Sequence, residues 1–118
     1  MKWKKNKYLC LTLVFAFGFF YSCEKETIKP IKVVTVSFKS DILPIFSGKC
    51  ITCHGGSRNP DLRSDKAYIS LTKGAYYDTI VPANSKIMIK LTTTHIDRAN
   101  DVDRQKILLW ITLGAKNN

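Results

Sequence analysis

Cys50-Ile51-Thr52-Cys53-His54 decides how this 118-residue chain reads. Two cysteines three positions apart with a histidine directly behind them, C-x-x-C-H, is the spacing at which each thiol adds across one haem vinyl group. The histidine is then held beneath the ring as the proximal iron ligand. The same cysteines also suit a dithiol redox pair, and together with His54 and His95 they supply the two Cys and two His of a zinc site. A dithiol pair does not need the histidine, however, and belongs in a βαβ setting that the flanking sequence lacks. Cys53 and His54 are adjacent and so are awkward to aim at one tetrahedral ion. The stretch reads first as the attachment site of a single haem c, with zinc and dithiol chemistry as the alternatives.

Ahead of it the chain carries the pattern of an exported protein. Lys2, Lys4, Lys5 and Lys7 precede an apolar stretch from Leu9 to Phe20. That stretch has the length of a signal h-region and falls short of the roughly 20 residues that span a bilayer. It ends in Phe20-Tyr21-Ser22-Cys23, which resembles the looser lipoboxes of Bacteroidetes lipoproteins; Phe20 stands where the usual lipobox has leucine. The expectation is a signal peptide over residues 1–22 and lipidation of Cys23, with an uncleaved anchor or simple secretion as alternatives. The cysteine count then closes: Cys10 lies in the leader, Cys23 takes lipid, Cys50 and Cys53 take haem, and none remains for a disulfide. Residues 23–36 read as a tether, polar and proline-broken from Glu24 to Pro30, with Val33, Val34 and Val36 as a short strand or an extended lead-in. The expected location is a bacterial membrane, with the domain lipid-anchored and facing the periplasm or the cell surface.

Length leaves room for one small domain, residues 37–118, whose own apolar core is modest and which a covalently held haem would help to fill. Four of the 19 basic residues fall in the leader, leaving 15 against 9 acidic residues, a net +6. Mild positive charge of this kind suits an acidic redox partner or an anionic membrane surface, and equally an ordinary solvated surface. The lysines are scattered, which argues against nucleic-acid binding.

Within the domain the apolar spacing predicts four short helices and an all-α fold. The first is capped at Ser40 or Asp41, uses Ile42, Ile45 and Phe46, tolerates Pro44 in its first turn, and delivers the chain to Cys50. The second runs from Ser64 to Leu71. The third begins near Asn84 or Ser85 with Ile87, Met88 and Leu91 as its apolar positions. The last spans Asp101 to Leu113, capped by Asn100 or Asp101, stopped by Gly114, and buries Ile107, Leu108, Trp110 and Ile111.

The succession Val36-Ser37-Phe38, Asp41-Ile42-Leu43-Pro44-Ile45-Phe46, Cys50-x-x-Cys53-His54-Gly55-Gly56, Asp61-Leu62, Pro82-x-x-Ser85-x-Ile87 and Trp110-Ile111-x-x-Gly114-Ala115 resembles the small monohaem cytochrome c domains common in Bacteroidetes lipoproteins, which are related to planctomycete-type cytochrome c domains. The resemblance covers residues 36–118. It implies a small cytochrome c-like helical fold around one covalently attached haem, in which the first and last helices, residues 41–49 and 102–113, cross beside the ring with Trp110 near the crossing. It also implies that the Pro60-Asp61-Leu62 segment passes a backbone carbonyl to the free nitrogen of His54 and lays Leu62 on the ring, and that Arg58 or Arg63 pairs with a propionate.

Many such relatives place an axial methionine in a Met-Pro-Pro stretch between the third and fourth helices. This chain has Thr92-Thr93-Thr94-His95-Ile96-Asp97-Arg98-Ala99-Asn100 there. His95 is therefore favoured as the sixth ligand, with Met88 or an open position as alternatives. No cluster of acid, base and nucleophile argues for an enzyme. The expected work is one-electron transfer with a redox partner protein. A haem-based sensor or small peroxidase with an open sixth site, and a haem-free zinc-stabilised interaction module, are the competing readings.

Overall fold

The computed structural model describes residues 34–118; the predicted leader, the lipobox cysteine Cys23 and most of the tether lie outside the described residues. Helices and turns make up the secondary structure of that span, with no strand among the described residues, so the domain is all-α. Residues 34–37 have no regular secondary structure, Ser37 is extended, and Val36 is already buried in the core. No helix among the described residues is long and apolar enough to cross a membrane.

The first helical segment begins earlier than its sequence suggests. Ser37 Oγ accepts the Ser40 N–H at 3.2 Å, and Asp41 Oδ2 accepts the Ser37 N–H at 2.8 Å. Ser37 is thus the cap in place of Ser40 or Asp41, and Asp41 is the returning half of a reciprocal pair. A wide turn over Phe38–Ile42, closed by the Ile42 N–H on Ser37 O at 3.3 Å, feeds helix α1, Leu43–Lys49. Pro44 sits in the first turn of α1, where a missing N–H costs least.

Through Cys50 the path continues into the single turn α2, Ile51–His54, with the His54 N–H on Cys50 O at 2.9 Å. After a loop and a turn at residues 64–66 comes α3, Ala67–Lys73, set a few residues later than the expected Ser64–Leu71. It ends as Ala75 takes a left-handed φ of +48° and the Tyr76 N–H returns to Leu71 O at 3.0 Å. A 3₁₀ turn at Pro82–Asn84 leads into α4, Lys86–Thr92, and a second at Ile96–Arg98 leads into α5, Asp101–Thr112.

Both ends of α5 are tightly specified. Asn100 Oδ1 accepts the Asp103 N–H at 2.8 Å while Asp103 Oδ2 accepts the Asn100 N–H at 3.3 Å, a complete capping box. At the far end Gly114 has φ +95°, and the Ala115 N–H reaches back to Trp110 O at 2.9 Å.

Phe38, Ile42, Phe46, Leu71, Ile107, Trp110 and Ile111 form the fully buried centre. The Trp110 ring lies 5.1 Å from Phe38 and 5.3 Å from Tyr77, and its Nε1–H donates to Lys116 O at 2.9 Å. At the other end of the same pairing Lys49 forms an ion pair with Asp103. Residues 38–49 therefore run antiparallel to 103–110, tied by aromatic packing at one end and by charge at the other. Asn118 returns to the first helical segment: its Oδ1 accepts the Phe38 N–H at 2.9 Å, and its backbone carbonyl accepts the Lys39 N–H at 2.9 Å.

Candidate functional site

The short α2 turn sets Cys50, Cys53 and His54 on the wall of a cavity of about 530 Å³, within the size range of small-molecule and cofactor sites. α1 contributes Ile45 and Phe46, α4 contributes Ile87 and Leu91, α5 contributes Ile107, and the loop between α4 and α5 contributes Thr94, His95 and Ala99. Most of these apolar residues are buried, while Cys53 and Thr52 are exposed at the rim. Cys50 is partly buried, and loss of hydration, with the Asp103 carboxylate adding to it, pushes its thiol pKa up from the ordinary value.

His54 is oriented from behind. The Pro60 carbonyl oxygen lies 3.0 Å from His54 Nδ1, and a carbonyl only accepts, so Nδ1 carries the proton and Nε2 keeps the lone pair. The same loop is pinned by the Leu62 N–H on His54 O at 2.7 Å and by the Asp61 N–H on Ser70 Oγ at 2.8 Å. Pro60 and the buried Leu62 both line the cavity. Glycine is required where the chain leaves the turn: a Cβ on Gly55 would stand 2.8 Å from Ile51 O, and Gly56 has φ +106°.

Across the cavity, His95 presents a second imidazole whose centroid is 6.3 Å from that of His54, with the ring planes 42° apart. Its Nδ1 is 2.9 Å from Thr94 Oγ1, which leaves Nε2 as the nitrogen without a protein partner. A metal–imidazole bond of about 2.0–2.1 Å, with about 1.1 Å from that nitrogen to the ring centre, puts two imidazoles on opposite sides of one ion with centroids about 6.3 Å apart. The 6.3 Å separation is compatible with that arrangement, in which His54 and His95 would each supply one nitrogen to a metal. Among the described residues no three His, Cys, Asp or Glu side chains converge as a ligand group. Met88, the other candidate for the sixth position, is 6 % exposed, belongs to the core and does not line the cavity.

The charge around the cavity has one sign. Among the described residues Lys49, Arg58, Lys90 and Arg98 line it and no carboxylate does. Lys49 is spent on Asp103, which leaves Arg58, Lys90 and Arg98 facing solvent. Arg63 does not line this cavity. Its guanidinium forks onto Asp61, Nε to Oδ1 at 3.0 Å and Nη2 to Oδ2 at 2.6 Å, and this bond holds the Asp61 carboxyl below the ordinary carboxylate range. Of Tyr68, Tyr76 and Tyr77, only Tyr76 lines the cavity. Tyr68 packs on Phe38 and donates to Ala115 O, and Tyr77 packs on Trp110.

Thr94, Lys90 and Arg98 did not stand out in the sequence. Arg98 has a faint signal, three positions after His95 on one turn, whereas Thr94 and Lys90 have none apart from the fold that brings them there. Comparison of the chain with family models, curated proteins and solved structures finds no match.

Proposed function

We propose that the domain is a small cytochrome c-like monohaem protein that works in one-electron transfer, with haem c attached through Cys50 and Cys53 and axial nitrogens from His54 and His95. The observation that carries this reading is the 6.3 Å spacing of two imidazoles across a cavity whose wall bears both cysteines of a C-x-x-C-H turn. When bound, the haem supplies one iron that passes between ferric and ferrous states. The residues of the chain do the rest. Pro60 O fixes the His54 tautomer and raises the basicity of Nε2. Ile45, Phe46, Leu62, Leu91 and Ile107 would exclude water from a bound haem, which would favour the less charged ferrous form. Arg58, Lys90 and Arg98 offset the carboxylates of the propionates.

A second imidazole in place of a thioether sets a lower reduction potential than a His/Met pair does. The exposed rim at Thr52 and Cys53 is the edge at which a partner approaches for electron exchange. The net positive charge favours an acidic partner. Export and lipid anchoring through Cys23 complete the proposal, placing the domain on a bacterial membrane.

The test is expression of the full chain with haem-attachment machinery, followed by oxidised and reduced absorption spectra of wild type and His95→Ala. The expected result is covalent haem with six-coordinate, low-spin bands that turn high-spin in the variant. Haem that stays low-spin in the variant moves the sixth ligand to another residue. A high-spin wild type that binds carbon monoxide or peroxide moves the function to sensing or peroxidase chemistry. Absence of attached haem defeats the reading, and metal analysis then decides for or against zinc.

A further inference from the structure

His95 stands on a loop between α4 and α5 whose two ends are held differently. At the front, the His95 N–H donates to Lys90 O at 2.8 Å, which ties the loop to the last turn of α4. At the back, two backbone carbonyls meet one side chain. Arg104 Nη1 donates to Ile96 O at 2.9 Å and also to Ala99 O, while Nη2 is engaged by the Asp101 carboxylate. The Arg104 side chain is only 19 % exposed, and it stands on α5 one turn before the buried Ile107. Between these points the Arg98 N–H closes on His95 O at 3.0 Å, and Ala99 is buried on the cavity wall.

We propose that Arg104 is the positioning residue for His95: its guanidinium fastens the carbonyls of Ile96 and Ala99 to α5 and thereby holds the second imidazole opposite His54. This rests on the reading of His95 as an axial ligand. A planar fork with several fixed N–H groups can serve two carbonyls and a carboxylate together, whereas a lysine ammonium at the end of a flexible stem cannot reproduce that geometry. His54 has no need of such a device, because its own Nδ1–H is anchored on Pro60 O, whereas the Nδ1 of His95 meets only an exposed hydroxyl. The loop must therefore supply for His95 what a direct carbonyl contact supplies for His54.

The test uses the full haem-loaded chain as wild type, Arg104→Gln, Arg104→Lys and His95→Ala, with Asn100→Ala as a control that weakens the same end of α5 without removing the guanidinium. In Arg104→Gln the high-spin fraction rises, carbon monoxide binding to the reduced protein accelerates by about 10–100-fold toward the His95→Ala value, and added imidazole restores the low-spin bands. Arg104→Lys falls between. Amide exchange at His95 and Arg98 quickens by at least about tenfold relative to Asn100→Ala. If Arg104→Gln matches Asn100→Ala in spectrum, in carbon monoxide rate and in exchange, the proposal is overturned. A wild type without haem, or one unaltered by His95→Ala, defeats the axial reading instead; amide exchange on the same preparations then decides whether Arg104 holds the loop.

Discussion

Arg58 and Arg63 are five positions apart on one loop and end in opposite electrostatic settings. Arg58 faces the cavity, while Arg63 is claimed by Asp61, two residues before it, in a fork that a sequence cannot distinguish from a pair of solvated charges. The Asp61 carboxyl is held down mainly by that hydrogen bond. A depressed folded pKa contributes stability at neutral pH that is lost as pH falls through the folded value. Since its partner Arg63 is half exposed and solvent screens the bond, the measurable effect is on the Asp61 titration. In a carbon-detected NMR titration the Asp61 carboxyl has a midpoint below the ordinary carboxylate value, and Arg63→Ala returns it upward. At this scale the sequence shows Cys50, Cys53 and His54 as neighbours on one turn, and the structure sets all three on the cavity wall. The sequence was not legible where the outcome depends on which neighbour captures a flexible side chain, as with Arg63 and Arg104.

Among the elements, α5 announces itself. Asn100 three residues ahead of Asp103, an apolar face through Ile107, Trp110 and Ile111, and a glycine at position 114 are each local signals, and all three act where the spacing puts them. Asn100→Ala removes the acceptor for the Asp103 N–H and is expected to cost about 1 kcal/mol, read as a lowered midpoint in urea or thermal unfolding. Asp103→Ala loses more than Asn100→Ala, because Asp103 also answers Lys49 on α1. The start of the first helical segment was misread for a physical reason. Ser37 and Ser40 are both good caps three residues apart, and what selects Ser37 is the return of Asp41 to its N–H together with the grip of Asn118 on Phe38. The second of these partners lies at the far end of the sequence, out of reach of any local pattern.

At the scale of the whole molecule, charge and fold meet at the cavity rim. The chain as a whole is basic, but only a few of its cations face the site. If an acidic partner docks there, Lys90→Glu slows the second-order rate of electron exchange several-fold at low ionic strength. The difference from wild type disappears near 1 M salt, where the screening length falls to about 3 Å. Stopped-flow rates across a salt series, with Lys73→Glu as a cation away from the cavity wall, check this; equal effects of the two substitutions indicate bulk charge and no directed docking. The all-α class was within reach of helical periodicity, whereas the pairing of the first helical segment with the last, seen here between residues 38–49 and 103–110, was only what the resemblance implied. The shape of the cavity was within reach of neither, since it depends on how the three loops that follow α2, α3 and α4 settle around it.

The clasp between Asn118 and residues 37–39 has a topological consequence. Residues 37–39 and residue 118, at the two ends of the described helical domain, lie within hydrogen-bond distance of each other. A polypeptide arranged in this way can be spliced into a surface loop of a host protein without forcing that loop apart. It then travels as a portable pendant whose cavity is formed entirely by residues inside the splice.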